Sequence, residues 1–156
     1  MTVSIRDNPG VVAPPPLIYA GTLAIGLLVH LFFPVKFFPK VGATLIGRIC
    51  TTIAGTLALS AFFEMRRAGT HVNPTQPATA LVTQGPFRLT RNPLYLSLTL
   101  LYAGIAFMVN SLWAILLLPG ALVVMRYGVI EREERYLERK FGDLYVSYKA
   151  KVGRWI

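Results

Sequence analysis

Long stretches without charged side chains constrain this chain more than any other feature. No Asp, Glu, Lys or Arg occurs from Leu17 to Phe33, and the stretches 41–63 and 94–130 contain only Arg48 and Arg126. A helix of roughly 20 apolar residues is long enough to cross a bilayer. Only 15% of the residues are charged, whereas roughly a quarter is usual in soluble domains. The sequence therefore predicts an all-α, polytopic membrane protein.

The third stretch, 94–130, is too long for one crossing. Asn110-Ser111 near its middle predicts a tight turn between two short helices, and Pro119-Gly120 predicts a kink in the second. The chain would then have about four transmembrane helices. The second of these is rich in Gly, Ala, Thr and Ser, which predicts packing in the bundle interior. For Arg48 we expect snorkelling to the interface rather than a buried functional role.

The pattern predicts one membrane domain with five parts. These are a flexible proline-rich tail at 1–16, two helices at 17–67, a long polar loop at 68–92, a helical hairpin at 93–130 and a charged helical segment at 131–156. A loop as long as 68–92 is usually functional or disordered, and its apolar residues indicate a packed one. In the last part, Gly142 suits a helix end and Asp143 suits the cap of the next helix.

The basic residues predict orientation and partners. All of them except Lys36, Lys40 and Arg48 fall on parts that share one side of a four-crossing topology, so we expect both termini and the long loop in the cytoplasm. The formal charge of +9 is then explained by anionic lipid headgroups and not by nucleic acid. A single cysteine and two widely spaced histidines predict neither a disulfide nor a metal site.

The end of the long loop has the features of a helix start. Asn92 suits an N-cap and Pro93 suits the first helical position, with Arg88 and Arg91 just before them. A helix N-terminus beside two arginines favours an anionic or phosphate-bearing ligand. The alternative is a plain helix start whose arginines meet lipid headgroups.

Two carboxylates lie on the apolar stripe of the charged C-terminal segment. Glu133 and Glu134 fill the helix turn between apolar stripe residues, and basic residues occupy the opposite face. The stripe consists of Ile130, Leu137, Phe141, Leu144, Tyr145 and Tyr148, and the opposite face of Arg132, Arg135 and Arg139. Inward carboxylates are costly without a cation. The cation would be Arg88, Arg91 or Arg126, or a cationic ligand.

Two spaced motifs resemble those of a known family. Gly85-Pro86-Phe87-Arg88 with Arg91-Asn92-Pro93-Leu94-Tyr95 is followed about 40 residues later by Glu133-Glu134-Arg135-Tyr136-Leu137 and Phe141-Gly142, and then by Tyr145, Tyr148, Val152 and Arg154. This pattern resembles the isoprenylcysteine carboxyl methyltransferase family, and the related phospholipid methyltransferases share a version of it. The resemblance covers 72–156. Asn92 departs from the family's commoner histidine.

The resemblance implies an integral membrane methyltransferase that uses S-adenosylmethionine in a pocket at the cytosolic interface. Its acceptor would be a lipid-like or small apolar molecule, with a prenylcysteine carboxylate the type most like the family. The chain has no glycine-rich turn of the Rossmann type. The implied cofactor-binding residues are Val82, Gln84, Gly85, Arg91, Asn92, Pro93, Tyr95, Glu133, Glu134 and Leu137.

The chemistry of these side chains fits such a cofactor. Glu133 or Glu134 suits its sulfonium and ammonium, and Arg91 or the helix start suits its carboxylate. The segment 81–84 and Tyr95 would supply a flat apolar slot for adenine. We regard Arg91, Glu134 and Arg154 as the candidate catalytic residues. Arg154 would hold an anionic acceptor, unless it only contacts headgroups.

Two other functions fit the same hydropathy pattern. A small four-helix transporter should carry an ionisable residue in the middle of the membrane, but Glu64 and Arg48 lie near the ends of their span. A non-catalytic membrane interaction module would need neither motif.

Overall fold

The computed structural model describes residues 8–155, and within that range it contains helices and no strand. The predicted all-α fold is confirmed. The first seven residues of the predicted tail lie outside the described range, and from Asn8 onward the chain is described. The helices are α1 (Pro15–Phe32), α2 (Lys40–Arg67), α3 (Pro93–Val109), α4 (Leu112–Met125), α5 (Glu131–Phe141) and α6 (Asp143–Lys151).

Three helices are long and apolar enough to cross a membrane, and a fourth apolar helix is shorter. They are α1, α2 and the continuous helix Leu112–Phe141, which begins with α4. With 17 residues, α3 is about 26 Å long, slightly less than the roughly 30 Å of hydrocarbon in a bilayer. This matches the predicted short hairpin arm. The apolar part of Leu112–Phe141 ends before Glu131, where the carboxylates begin.

The turn between α3 and α4 fixes one end of the bundle. Asn110 adopts a left-handed conformation with φ of 60°, and the Ser111 side chain accepts a hydrogen bond from the Ala114 N–H. The Asn110 amide also bonds the α1–α2 connection, accepting from the N–H groups of Phe37 and Phe38 and donating to the Phe38 carbonyl. The predicted turn is therefore confirmed. The start of α3 and the end of α4 lie at the opposite end.

Small residues allow α2 and α3 to pack closely. A Cβ atom on Gly104 would lie 2.5 Å from Thr51 Oγ1 and 2.9 Å from the Gly47 carbonyl oxygen. The buried residues of α2 are all small: Ala43, Gly47, Ala54 and Ala61. The prediction that α2 lies in the interior is correct only for this stripe, because its other sides, which include Arg48, are exposed. Composition shows that a packing face exists but not that only one side of the helix is covered.

The first helix packs mainly on α4, and it leaves a gap next to α2. Gly26 of α1 lies against Ala114 of α4, where an added Cβ would be 2.6 Å from the Ala114 Cα. Both α1 and α2 pack on α3, but they make few contacts with each other. A groove consequently remains between them on the surface of α3.

The connection from α4 to α5 is a single π-helical turn, Arg126–Ile130, which the sequence did not predict. The carbonyl of Gly128 in this turn accepts a hydrogen bond from the N–H of Val12 at 3.0 Å. In addition, Arg132 donates to the Gly10 carbonyl at 2.9 Å. The described part of the predicted flexible tail is therefore attached to the start of α5. Pro119 lies inside α4, and the predicted kink there stays a prediction.

The boundary between α5 and α6 falls at Gly142, as predicted. Its φ of 52° is a left-handed value that favours glycine. Asp143 is not the cap: it is the first residue of α6, and Gly142 itself occupies the cap position, its carbonyl accepting from the N–H groups of Tyr145 and Val146. Leu144 was placed on the buried stripe wrongly, since it is 71% exposed. The break at Gly142 interrupts the helical period on which that placement relied.

Candidate functional site

The loop 68–92 is packed, as predicted. Thr79 ties it back on itself, with its hydroxyl donating to the Gly69 carbonyl and its N–H donating to Thr70 Oγ1. A 3-10 turn, Gly85–Arg88, follows and buries Phe87. The hydroxyl of Tyr148 in α6 donates to the Phe87 carbonyl at 2.6 Å. The loop is thus held against the C-terminal helices.

Asn92 lies at the predicted start of α3, but its side chain does not cap the helix. Pro93 is the first helical residue, as predicted, and no side-chain cap hydrogen bond is present. The amide Nδ2 of Asn92 instead donates to the carbonyl of Arg154 at 2.9 Å. The competing acceptor comes from a segment distant in sequence, so the local pattern could not reveal it.

Glu134 is buried between two arginines. Its Oε1 lies 3.0 Å from Arg91 Nη1 and accepts a hydrogen bond from Arg154 Nε at 3.0 Å. Its Oε2 accepts from Arg154 Nη2 at 2.7 Å, and these hydrogen bonds that Arg154 donates to Glu134 raise the pKa of Arg154. Of the predicted cations, Arg91 is therefore a partner. By contrast, Arg88 is exposed and donates to Gln84, and Arg126 pairs with Glu131.

Glu133 has a different environment. Its Oε2 accepts a hydrogen bond from the hydroxyl of Tyr95 at 2.7 Å. Within residues 8–155, no lysine or arginine lies within ion-pair distance of this carboxyl group. Burial raises the pKa of Glu133; the Tyr95 hydrogen bond acts in the opposite direction and the neighbouring Glu134 adds to the increase. Glu133 is thus an inward carboxyl group without a cation.

Arg91 retains a donor. Its Nη1 contacts Glu134 and donates to the Tyr145 hydroxyl at 3.3 Å. Its Nε is buried and has no hydrogen-bond partner in the described part of the chain. Burial, with Glu134 nearby, raises the pKa of Tyr145 to about 12, so this hydroxyl stays protonated at neutral pH.

These side chains meet at one small cavity of about 90 Å³. Six of the predicted residues line it: Val82, Arg91, Asn92, Glu133, Glu134 and Leu137. The sequence reasoning did not assign Tyr145 and Tyr148 to the site, although both line the cavity. Their positions on the buried stripe could have identified them. It also missed His71 and Asn73, for which the sequence offers no signal.

The other predicted site residues lie outside this cavity. Gln84 and Gly85 line a separate surface depression with Glu64 and Arg88. Pro93 is buried at the start of α3, and Tyr95 reaches the cavity only through Glu133. The guanidinium of Arg154 is on Glu134. Their roles toward a cofactor stay predictions. In residues 8–155, no group of three His, Cys, Asp or Glu side chains has the arrangement of a metal site.

An apolar groove of about 420 Å³ adjoins the cavity. It is the gap between α1 and α2, and its floor is α3. The residues Val72, Asn73 and Pro74 line both the groove and the cavity. Tyr95 lines the groove and bonds Glu133 in the cavity. The remaining lining residues are Pro14, Pro15, Pro16, Ala58, Leu94, Ser97 and Leu98.

Comparison with known proteins identifies the family of the chain. The profile of the phospholipid methyltransferase family matches residues 43–144, a range that contains Arg91, Glu133 and Glu134. An uncharacterized protein of Haemophilus influenzae is 47% identical over 64 residues, which are 40% of this chain and all of that protein. No solved structure matches the chain. The matched family lies in the isoprenylcysteine carboxyl methyltransferase-like group, which confirms the resemblance drawn from the two motifs. The chain therefore belongs to the phospholipid methyltransferase family, a family of membrane methyltransferases.

Proposed function

We propose that this chain is an integral membrane methyltransferase that uses S-adenosylmethionine and acts on a lipid-like acceptor. The observation that carries the proposal is the pairing of opposite charges on one cavity wall. Within residues 8–155, the buried Arg91 of this wall has an Nε donor without a partner, and the carboxyl group of Glu133 in the same wall has no lysine or arginine within ion-pair distance. Such a wall is complementary to a small zwitterionic or cationic molecule.

The residues present fit the cofactor. S-adenosylmethionine, when bound, supplies an electrophilic methyl group on a sulfonium, and it also carries a carboxylate and an ammonium. We assign the carboxylate to Arg91, whose Nε has no hydrogen-bond partner in residues 8–155. Glu134 already pairs with Arg91 and Arg154. We therefore assign the cationic end to Glu133, and we assign to Glu134 the orientation of Arg91.

The apolar wall of the cavity suits an adenine ring. Leu81, Val82 and Leu137 line it together, from the loop and from α5. Of the predicted slot 81–84, the first two residues face the cavity, whereas Gln84 lines the separate surface depression. We assign Leu81 and Val82 to the ring and leave Gln84 out of the proposed site.

The small volume of the cavity implies motion. Ligand pockets usually enclose about 300–1,000 Å³, and this one encloses about 90 Å³. Binding would displace the loop segment 71–82, which forms much of the wall. One of the contacts between this segment and α5 is the hydrogen bond from the Ala78 N–H to the Tyr136 hydroxyl at 3.1 Å. Closure of the loop over the bound cofactor would exclude water from the transfer step.

The apolar groove is the proposed acceptor site. A hydrocarbon chain lying along α3 would bring its polar head to the boundary formed by Asn73 and Tyr95, next to Glu133. Among the described residues, 8–155, no lysine or arginine lines the groove. Because an anionic head would meet Glu133 there without a neutralising cation, the groove favours a neutral or amine-bearing head over the prenylcysteine carboxylate. The basic residues at this end of the bundle favour a cytoplasmic location for the site.

Calorimetric binding of S-adenosylhomocysteine, the product of the cofactor, to the protein in detergent tests the proposal. We expect the affinity to fall roughly 10- to 100-fold in Arg91→Ala and in Glu133→Gln, since each loses a charged hydrogen bond or ion contact. Arg88→Ala is the matched control, because Arg88 belongs to the same motif but is exposed. If the parent protein binds neither the product nor S-adenosylmethionine, the transporter or the interaction module becomes the better hypothesis.

An acceptor screen tests the second half of the proposal. Amine phospholipid, prenylcysteine and thiol acceptors would be compared for methyl incorporation in the same detergent preparation. Transfer to the amine lipid would agree with the uncharged groove. Transfer to prenylcysteine alone would show that the acceptor head does not rest beside Glu133.

A further inference from the structure

The last described residues form a strap across the start of α3. After α6 the backbone becomes extended at Val152, with φ of −122° and ψ of 129°. We call Gly153–Trp155 the C-terminal strap. The carbonyl of Gly153 accepts a hydrogen bond from the Arg91 N–H at 2.9 Å. Trp155 packs against the core cluster that contains Tyr95 and Met125. The strap therefore runs from the end of α6 back to the hydrophobic core of the helix bundle.

The side chains of Thr90 and Asn92 bind the strap at a single carbonyl group. The Arg154 carbonyl accepts from the Thr90 hydroxyl at 3.0 Å and from Asn92 Nδ2 at 2.9 Å. The Thr90 hydroxyl also accepts a hydrogen bond from the Asn92 N–H at 3.1 Å. Thr90 is 1% exposed, so these bonds are shielded from competing water.

The same residue reaches the charged site with its side chain. While its carbonyl is held by Thr90 and Asn92, the guanidinium of Arg154 makes two hydrogen bonds to Glu134. Glu134 in turn contacts Arg91 Nη1. A two-point pair between a guanidinium and a carboxylate fixes orientation as well as distance. The strap is therefore linked through Arg154 and Glu134 to Arg91, which lines the cavity.

We propose that Thr90 and Asn92 are positioning residues, which hold the C-terminal strap so that Arg154 and Glu134 orient Arg91 toward the cofactor. This inference rests on the proposed function. In this proposal the Asn92 side chain donates to a backbone carbonyl of the strap and does not contact the cofactor directly. Without the bonds to Thr90 and Asn92, Arg154 would leave Glu134, and Glu134 would be free to draw Arg91 away from its present orientation.

The test uses the full-length protein with Trp113→Phe, which leaves Trp155 as the single tryptophan. Trp113 lies at the opposite end of the bundle, where it bonds the Phe33 carbonyl. In this background, Thr90→Val and Asn92→Asp remove the donors with little change in size, and Thr90→Ser retains the hydroxyl. We expect acrylamide quenching of Trp155 to increase several-fold in the first two variants. Thr90→Ser should resemble the parent.

Calorimetry with S-adenosylhomocysteine provides the second measurement. We expect about tenfold weaker binding in Thr90→Val and Asn92→Asp, with Thr90→Ser near the parent. If Trp155 becomes accessible while the affinity is unchanged, the strap does not position the site. If Trp155 stays protected in both variants, Thr90 and Asn92 do not hold the strap. If the parent protein does not bind S-adenosylhomocysteine at all, the proposed function fails as well. If the parent binds it and only the expected effects of the variants are missing, the proposal for the strap alone is wrong.

Discussion

Tyr95 and Glu133 join the two compartments of the candidate site, because the Tyr95 hydroxyl donates to Glu133 Oε2 at 2.7 Å. Tyr95 forms part of the apolar groove and Glu133 forms part of the cavity. The pair comes from α3 and α5, which the hairpin between the two motifs brings together. A methyl group passing from a cofactor in the cavity to an acceptor in the groove would pass beside this hydrogen bond.

The raised pKa of Glu133 predicts how cofactor binding depends on pH. Burial raises this pKa, so the carboxyl group becomes neutral at a pH where an ordinary glutamate is still ionised. As the pH is lowered, the attraction of Glu133 for a cationic ligand should therefore weaken at a higher pH than that of an ordinary glutamate would. We expect S-adenosylmethionine affinity, measured by calorimetry across pH, to fall as the pH is lowered. In Glu133→Gln it should be weak and nearly independent of pH.

Folding stability should respond to the same group with the opposite sign. When the folded-state pKa lies above the unfolded value, the folded state binds more protons between the two values, and its stability decreases as pH rises through that window. Thermal unfolding in detergent without ligand should show this decrease in the parent protein. Glu133→Gln should lack it. If the stability of the parent protein relative to Glu133→Gln instead rises with pH through this window, the pKa of Glu133 is not raised by folding.

The ion pairs of Glu134 predict a large effect on stability. Removing the charge in Glu134→Gln leaves Arg91, whose side chain is 9% exposed, without a counter-ion. Breaking one partner of a buried pair costs about 3–5 kcal/mol, and we expect a value near the lower end because Arg154 can reach water. Glu138→Gln is the matched control on the same helix, since Glu138 pairs with Lys149 at the surface. Equal unfolding temperatures for the two variants would show that the Glu134 pairs contribute little.

Much of the fold could be predicted from local sequence. Uncharged stretches locate the crossing helices because a bilayer requires continuous apolar surface. The turn at Asn110-Ser111 was predictable because both residues act locally. Asn110 adopts a left-handed backbone conformation, and the Ser111 side chain caps the helix that follows it. The inward position of Glu134 followed from the helical period, which is regular from Glu131 to Phe141.

The remaining features depend on partners distant in the chain. Asn92 is a residue type that often caps helices, but its side-chain amide donates to the carbonyl of Arg154 instead. Local sequence does not distinguish the environments of Glu133 and Glu134, because the strap brings Arg154 to Glu134 and not to Glu133. The π-helical turn at Arg126–Ile130 has no local signature either, and it coincides with a contact to Val12.

Because the groove and the cavity are separate compartments, a substitution in the groove should weaken acceptor binding without weakening cofactor binding. Ala58→Trp would place a large side chain in the groove from the α2 side. We expect the KM for a lipid acceptor to rise about tenfold or more, while calorimetric affinity for S-adenosylhomocysteine stays near the parent value. Leu59→Trp is the matched control, because Leu59 follows it on α2 and is 60% exposed. If both variants leave acceptor kinetics unchanged, the acceptor does not bind in this groove.

The close approach of α2 and α3 predicts sensitivity to a single methyl group. In Gly104→Ala, the new Cβ would lie 2.5 Å from Thr51 Oγ1 and 2.9 Å from the Gly47 carbonyl, and the second of these is backbone that cannot turn aside. Helix α3 would then have to move away from α2, which costs about 1–3 kcal/mol in an overpacked interface. Gly55→Ala in α2 meets nothing within 4 Å, so we expect it to be neutral or slightly stabilising in thermal unfolding. Thr90 and Asn92, which hold the strap, directly precede α3, and Tyr95, which bonds Glu133, lies in its first turn. Gly104→Ala should therefore also weaken S-adenosylhomocysteine binding. A stable Gly104→Ala protein with parental affinity would show that the two helices can separate without disturbing the site.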